Sequence, residues 1–233
     1  MRTYFLQKTL LPEDIIIEII SKFNLIDLIS CSKLCKSFYL LIKKLHLSKN
    51  IFLEIKPTET TPTSRLWCSS VMLKGLFYIY GGHLCTEQTN TISEIKNDLQ
   101  EFDFKTKQWR QLSHKMAGLT EHKCVSYDDH LWFLGGHNGQ DYCNSVYKYD
   151  TINQITTEIE KKGKIFSPRS AFTVCVYGQK MYVFGGWNGF LKVWHNDIHE
   201  WKQIIPKGKI PTQRTSHCGV GYKNCMYIFG GFS

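Results

Sequence analysis

Arginine recurs in this chain at Arg65, at Arg169 within PRS (168–170) and at Arg214 within QRTSH (213–217). His83, His137, Asn138, Trp187 and Asn188 stand between these recurrences at comparable places. A guanidinium grips a carboxylate or phosphate with two parallel hydrogen bonds, and imidazole and indole rings add further polar and stacking contacts. That is the chemistry of a pocket for an acidic or phosphorylated peptide. A second use is equally open to the arginines: each pairs with a carboxylate inside the fold and only fixes it. Catalytic sets are poorer. His195 and His199 are four apart, but in a stretch that reads as strand and turn, where that spacing does not converge on a metal. There is no nucleophile elbow, phosphate loop or pair of catalytic carboxylates. No metal site and no cofactor is expected.

The elements that must position these residues repeat. LFYIYGG (76–82), LWFLGG (131–136), MYVFGG (181–186) and CMYIFGG (225–231) share an apolar run ending in two glycines. The pairs are Gly81-Gly82, Gly135-Gly136, Gly185-Gly186 and Gly230-Gly231, and the second glycines are spaced 54, 50 and 45 residues apart. Before each run lies another apolar stretch and a short turn containing Gly, Asp or Asn, the pattern of a hairpin. After the glycines of the first three units comes a variable loop and then an alternating stretch with a polar turn: 98–112, 145–159 and 193–204. Four short antiparallel strands about every 50 residues is the signature of propeller blades. Trp109 and Trp201 begin the fourth strands and are expected to wedge between blades. In a meander the loops alternate between two ends. The three arginines and the residues following the glycine pairs therefore share one face.

These units resemble kelch repeats, with an Arg-Ser/Thr start, an apolar strand ending in Gly-Gly, a later Tyr-Asp and then Trp. The third unit has PRS, Gly185-Gly186 and Trp201. The second has Gly135-Gly136 and YKYD (147–150), with Ile155 where Trp is usual. The resemblance covers residues 62–233 and implies a β-propeller whose loop face binds other proteins. Some kelch propellers are enzymes. An iron-binding set of the specifier type would want His at position 102, where Phe102 follows Glu94 and Asp98, so no enzyme is expected.

A closed propeller takes four to eight blades, and this chain supplies three full ones and two strands of a fourth. Two readings stay open: a truncated chain, or an arc that is open or closed by oligomerisation. IFLEI (51–55) resembles a fourth strand without a blade, because Phe52 precedes Arg65 by 13 residues, as Trp201 precedes Arg214. It is expected to close the ring on the last blade.

Residues 11–47 lack strand alternation. Ile16, Ile19, Ile20 and Phe23 fall at helical spacing. Pro12 suits a first turn, and Asn24 can cap a second helix. Three short helices cannot bury their apolar faces alone. The segment resembles an F-box: Leu11-Pro12, an acidic residue, an Ile-rich helix, Asp27-Leu28, and Leu34-Cys35-Lys36 followed by Phe38 in place of Trp. The resemblance implies that Leu11, Pro12, Ile16, Ile20, Leu28, Cys35 and Phe38 contact a Skp-type adaptor of a cullin–RING ubiquitin ligase.

Composition sets the remaining bounds. Hydrophobic residues at 42% and charged residues at 21% are ordinary for a folded protein, and 14% aromatics suit strands. No apolar run approaches the ~20 residues that span a bilayer, and MRTYFLQKTLLPED has no long apolar h-region. Nine cysteines without a C-x-x-C pair read as reduced structural thiols, hence the cytoplasm or nucleus. The net charge of +9 is scattered and accompanies no nucleic-acid motif.

The expectation is a mainly β fold, an incomplete kelch-type β-propeller of about three and a half blades behind a three-helix F-box. The domains are 1–48 and 49–233, with repeats at about 62–112, 113–160, 165–205 and 210–233. The expected role is substrate recognition for an SCF-type ligase, with a Skp-type adaptor, a cullin scaffold and a target protein as partners. The alternative is a non-catalytic kelch scaffold or cytoskeleton-binding protein.

Overall fold

The computed structural model describes residues 2–5, 57, 61–84, 94–160, 162–163, 165–187, 192–195, 200–204 and 211–232. The expected N-terminal helices, with Leu11, Pro12, Ile16, Ile20, Leu28, Cys35 and Phe38, lie outside the described residues. So do the 51–55 strand, Asn188 and His199. Among the described residues every regular element is a strand.

Strand β1 is Arg2–Phe5 and a short β2 is Arg65–Leu66. The first blade follows as β3 (Ser69–Leu73), β4 (Leu76–Tyr80), β6 (Leu99–Asp103) and β7 (Gln108–Leu112), with β5 (His83–Leu84) pairing back to β2. The second blade is β8 (Lys123–Tyr127), β9 (His130–His137), β10 (Tyr142–Asp150) and β11 (Ile155–Glu158). The third is β12 (Thr173–Tyr177), β13 (Lys180–Phe184), β14 (Lys192–His195) and β15 (Glu200–Gln203). The fourth begins with β16 (Cys218–Tyr222) and β17 (Cys225–Phe229). Each full blade is an antiparallel meander, as the repeats require.

Turn chemistry sets the registers. Lys74-Gly75 and Asp128-Asp129 both have positive φ, the geometry that matches the twist of the flanking strands in a two-residue hairpin. The β6–β7 and β10–β11 turns open on Asp103 and Asp150. Asp103 accepts from the Lys105 amide, and Asp150 from the Ile152 and Asn153 amides. These side chains replace backbone turn bonds. The third position of the fourth blade is taken by β1, which pairs parallel to β17 with Arg2 opposite Cys225 and Phe5 opposite Ile228.

The core is a series of seams between blades. Alternation along each second strand sends two residues forward and two back. Tyr78 and Tyr80 of the first blade meet Leu131 and Phe133 of the second. Trp132 and Leu134 then meet Met181 and Val183, and Tyr182 and Phe184 meet Met226 and Ile228. Tyr80 lies edge-on to Phe133 with ring centres 5.1 Å apart. Burying a side chain of this size is worth about 1.5–3 kcal/mol, so each seam holds its two blades firmly. Trp201 fills the second seam against Phe166 at 4.8 Å, the wedge expected of it. Trp109 differs. It is half-buried on the outer flank of the first blade against Phe77 and Phe102, because no described blade precedes it.

Candidate interaction face

One four-residue segment leads into each blade. The first positions are Arg65, Leu119, Arg169 and Arg214. The third, Trp67, Glu121, Ala171 and Ser216, all have φ between 52° and 55°. From Glu121 on, each third-position amide donates to the carbonyl of its counterpart one blade earlier. Glu121 donates to Trp67 at 2.9 Å, Ala171 to Glu121 at 3.1 Å and Ser216 to Ala171 at 3.0 Å. A chain of backbone bonds thus crosses the inner rim of the arc.

The glycine pairs dock onto these segments. The second-glycine amides of the first three blades donate to the next blade: Gly82 to Leu119 at 2.8 Å, Gly136 to Arg169 at 2.9 Å and Gly186 to Arg214 at 2.8 Å. A Cβ on Gly185 would lie 2.5 Å from the Arg214 carbonyl oxygen, and φ there is +72°. Only glycine satisfies both conditions. The residue after each pair turns back onto its own blade's leading segment. Leu66 pairs with His83, Thr120 with His137 and Thr215 with Phe232, while the Trp187 amide donates to Ser170.

The arginines support this arrangement from inside. Arg65 Nη1 donates to Gly81 O at 3.3 Å, Arg169 Nη1 to Gly185 O at 2.8 Å and Arg214 Nη1 to Gly230 O at 3.0 Å. Arg65 also holds both oxygens of Asp98, at 2.6 and 2.9 Å. Burial would raise the Asp98 carboxyl, but hydrogen bonds from Arg65 and Gln100 outweigh it and hold the group below the usual carboxylate range. Arg169 is 1% exposed, and desolvation lowers its pKa to about 10. Its Nε and Nη2 donate to Ser167. Leu119 stands where the second blade would carry its arginine.

Those of the sequence-derived residues that are described lie at the same end of their blades, in two layers. Arg65 and Arg169 lie in the lower layer, Arg214 is half-buried, and His83 is buried with its ring edge-on to Trp67. His137 is half-buried against Tyr142. Asn138 is exposed and accepts from the Gln140 and Asp141 amides, so it shapes its loop. Trp187 is 58% exposed. Sequence reasoning missed Trp67, 51% exposed, with Leu66, Tyr142 and Phe232. The signal for Trp67 was its fixed place two residues after Arg65. Glu121 was also missed, and it accepts a hydrogen bond from the Ser170 hydroxyl.

His122 and His217 share the fourth position with Cys68 and Phe172. Both are buried, and desolvation lowers them to about 3 and about 4. No group of three His, Cys, Asp or Glu that could hold a metal occurs among the described residues. Their six cysteines are free thiols. No helix among them is long and apolar enough to cross a membrane.

Residues 32–231 match the family described as "KLHDC2/KLHL20/DRC7 Kelch-repeats domain", and residues 9–50 match the F-box domain. The chain is 27% identical over 135 residues to Kelch domain-containing protein 3 of Bos taurus, an alignment covering 53% of this chain and 35% of that one. It is 26% identical over 158 residues to Leucine-zipper-like transcriptional regulator 1 homolog of Drosophila melanogaster, covering 63% and 16%. The matched region thus spans about a third of the first relative and less of the second.

Proposed function

The chain belongs to the kelch-repeat family and carries an F-box ahead of its repeats, and from that premise we propose that it is the substrate-recognition subunit of an SCF-type ubiquitin ligase. F-box domains generally bind Skp adaptors and kelch repeats bind target proteins, and both are typical of non-catalytic modules. Leu11, Pro12, Ile16, Ile20, Leu28, Cys35 and Phe38 supply the adaptor contact, as apolar anchors set into a groove. The loop face of the arc holds the target. Catalysis belongs to partner subunits on a cullin scaffold, and this chain contributes proximity. The complex works in the cytoplasm or nucleus.

The observation that carries the reading is the two-layered face. Its arginine layer is committed to backbone carbonyls, which leaves a rigid platform, and above it stand Trp67, His137, Trp187 and Phe232, at most half-buried. Large aromatic groups on a fixed frame are the usual anchors of protein contacts. Arg214, half-buried, keeps its Nη1 on the Gly230 carbonyl and its Nη2 on Thr212, and we infer that an acidic or phosphorylated side chain of the target approaches the face there.

Co-expression with a Skp-type adaptor tests the role. A one-to-one complex on size exclusion with light scattering is expected, and Leu11→Ala with Pro12→Ala abolishes it. Soluble, folded protein that ignores the adaptor overturns the ligase reading and leaves a kelch scaffold.

A further inference from the structure

In the second blade the strand that ends in the glycine pair runs on through His137, and the short loop Asn138-Gly139-Gln140-Asp141 carries the chain from β9 into β10. All the loop residues are exposed. The loop stands on a fixed base. The His137 amide donates to Thr120 O and the Thr120 amide to His137 O, both at 2.9 Å. The His137 ring lies edge-on to Tyr142 with centres 5.1 Å apart. The Asn138 amide donates to Asp141 O at 3.1 Å and closes the loop.

Three further contacts converge on the Asn138-Gly139 unit. The Gly139 N–H donates to His137 Nδ1 at 3.0 Å, so the lone pair of the imidazole is aimed at that hydrogen. The Gln140 and Asp141 amides both donate to Asn138 Oδ1, at 2.9 and 2.8 Å. Two donors on one atom fix it as the carbonyl oxygen and leave Nδ2 on the other side.

Asparagine before glycine is labile, because the glycine nitrogen can add to the side-chain carbonyl carbon and close a succinimide ring. That addition needs a base for the N–H, donors for the charge that develops on oxygen, and an unscreened nitrogen. His137 Nδ1 lies at the distance of a general base. The two amides lie at the spacing of oxyanion-hole donors. Gly139 has no Cβ to screen its nitrogen, and its φ of +99° suits glycine.

We propose that the folded loop promotes its own deamidation at Asn138, with His137 as the base and the Gln140 and Asp141 amides as the oxyanion hole. The Gly139 nitrogen bonds to Asn138 Cγ while its proton passes to His137 Nδ1. The tetrahedral carbon then expels Nδ2, which takes that proton and leaves as ammonia. Water reaches the succinimide from the exposed side and opens it at either carbonyl, so position 138 becomes aspartate or isoaspartate. The sum is one water consumed and one ammonia released, with no cofactor. Either product sets a new carboxylate on the interaction face, and isoaspartate also lengthens the backbone between β9 and β10. The reaction does not depend on what the face binds.

Incubation of the full chain under native conditions, followed by peptide mapping with mass spectrometry, tests the proposal. The same chain unfolded in guanidinium chloride supplies the reference rate. Asn188-Gly189 is the same dipeptide and checks that reference, because unfolding makes the two pairs equivalent. Conversion at Asn138 is expected to be roughly tenfold faster in the folded chain, a small part of what a general base contributes in an enzyme. His137→Phe removes the base and keeps a ring against Tyr142; phenylalanine already follows the glycine pair of the fourth blade at Phe232. Its folded-state rate is expected to drop to the unfolded rate, and its unfolded rate to equal that of wild type. Folded wild-type protein that converts no faster than the unfolded chain overturns the proposal, since the hydrogen bonds then protect the asparagine. His137→Phe that is folded by circular dichroism and converts as fast as wild type overturns it equally.

Discussion

Arg169 Nη1 donates to the carbonyl of Gly185 at 2.8 Å across sixteen residues of chain, and Arg65 with Gly81 and Arg214 with Gly230 repeat the bond at the same separation. The guanidinium braces the end of the blade's second strand against its own leading segment. The glycine amide that follows reaches the next blade. One side chain therefore fixes the geometry on which both a blade and a seam depend.

Arg169→Met tests that brace. The variant removes a charge that is 1% exposed and leaves the Gly185 carbonyl without its donor. A hydrogen bond to a charged group is worth about 1.5–3 kcal/mol, and a loss of about 2 kcal/mol in urea unfolding is expected. Arg214→Met, at a half-buried site, loses about 1 kcal/mol or less. Equal losses at the two positions would contradict the burial argument.

His122 and His217 make stability depend on acid. Their folded pKa values, about 3 and about 4, lie below the ordinary 6.5 because burial disfavours the imidazolium. The unfolded chain therefore binds more protons below pH 6.5, and stability falls as pH drops from 6.5 towards the folded values. At pH 5 the cost is about 2 kcal/mol for each histidine, and above pH 7 it vanishes. Phenylalanine already occupies this repeat position at Phe172. His122→Phe with His217→Phe is expected to flatten the profile between pH 6.5 and 4, read from chemical denaturation at fixed pH.

Two glycines separate backbone strain from crowding. Gly178 and Gly185 both have positive φ, but a Cβ on Gly178 meets nothing within 4 Å while one on Gly185 meets backbone at 2.5 Å. Gly178→Ala is expected to cost about 1 kcal/mol. Gly185→Ala is expected to cost at least twice that, because a carbonyl of the next blade must move. Thermal unfolding of the two variants side by side decides it.

Trp187→Ala probes the upper layer of the face. The side chain is 58% exposed, so stability should stay within about 0.5 kcal/mol of wild type. Adaptor binding is expected to be unchanged, while proteins that co-purify with the adaptor-bound complex through the face are lost. A variant that retains the same co-purifying set shows that Trp187 is not an anchor.

Much of the fold was legible before any coordinates. Four glycine-ended runs, each behind a hairpin turn, are a local pattern, and local patterns survive folding because strand alternation and turn dihedrals are set by neighbouring residues. What the sequence could not give was depth. Arg169 and Trp187 were placed on one face by counting turns. Counting turns does not say that the arginine lies under a glycine carbonyl while the tryptophan stands in solvent. Trp67 was missed because its importance lies in a positive φ and a bond to Glu121, neither of which leaves a mark on residue type.

The sequence by itself determined the repeat and the four-stranded blade. These follow from side-chain period and backbone sterics within a few residues. Tertiary structure alone decided which residues face the next blade, which arginines are spent on carbonyls, and that β1 takes the third place beside β17. Those outcomes depend on surfaces brought together from residues 16 to more than 200 apart, and no local preference encodes such a meeting.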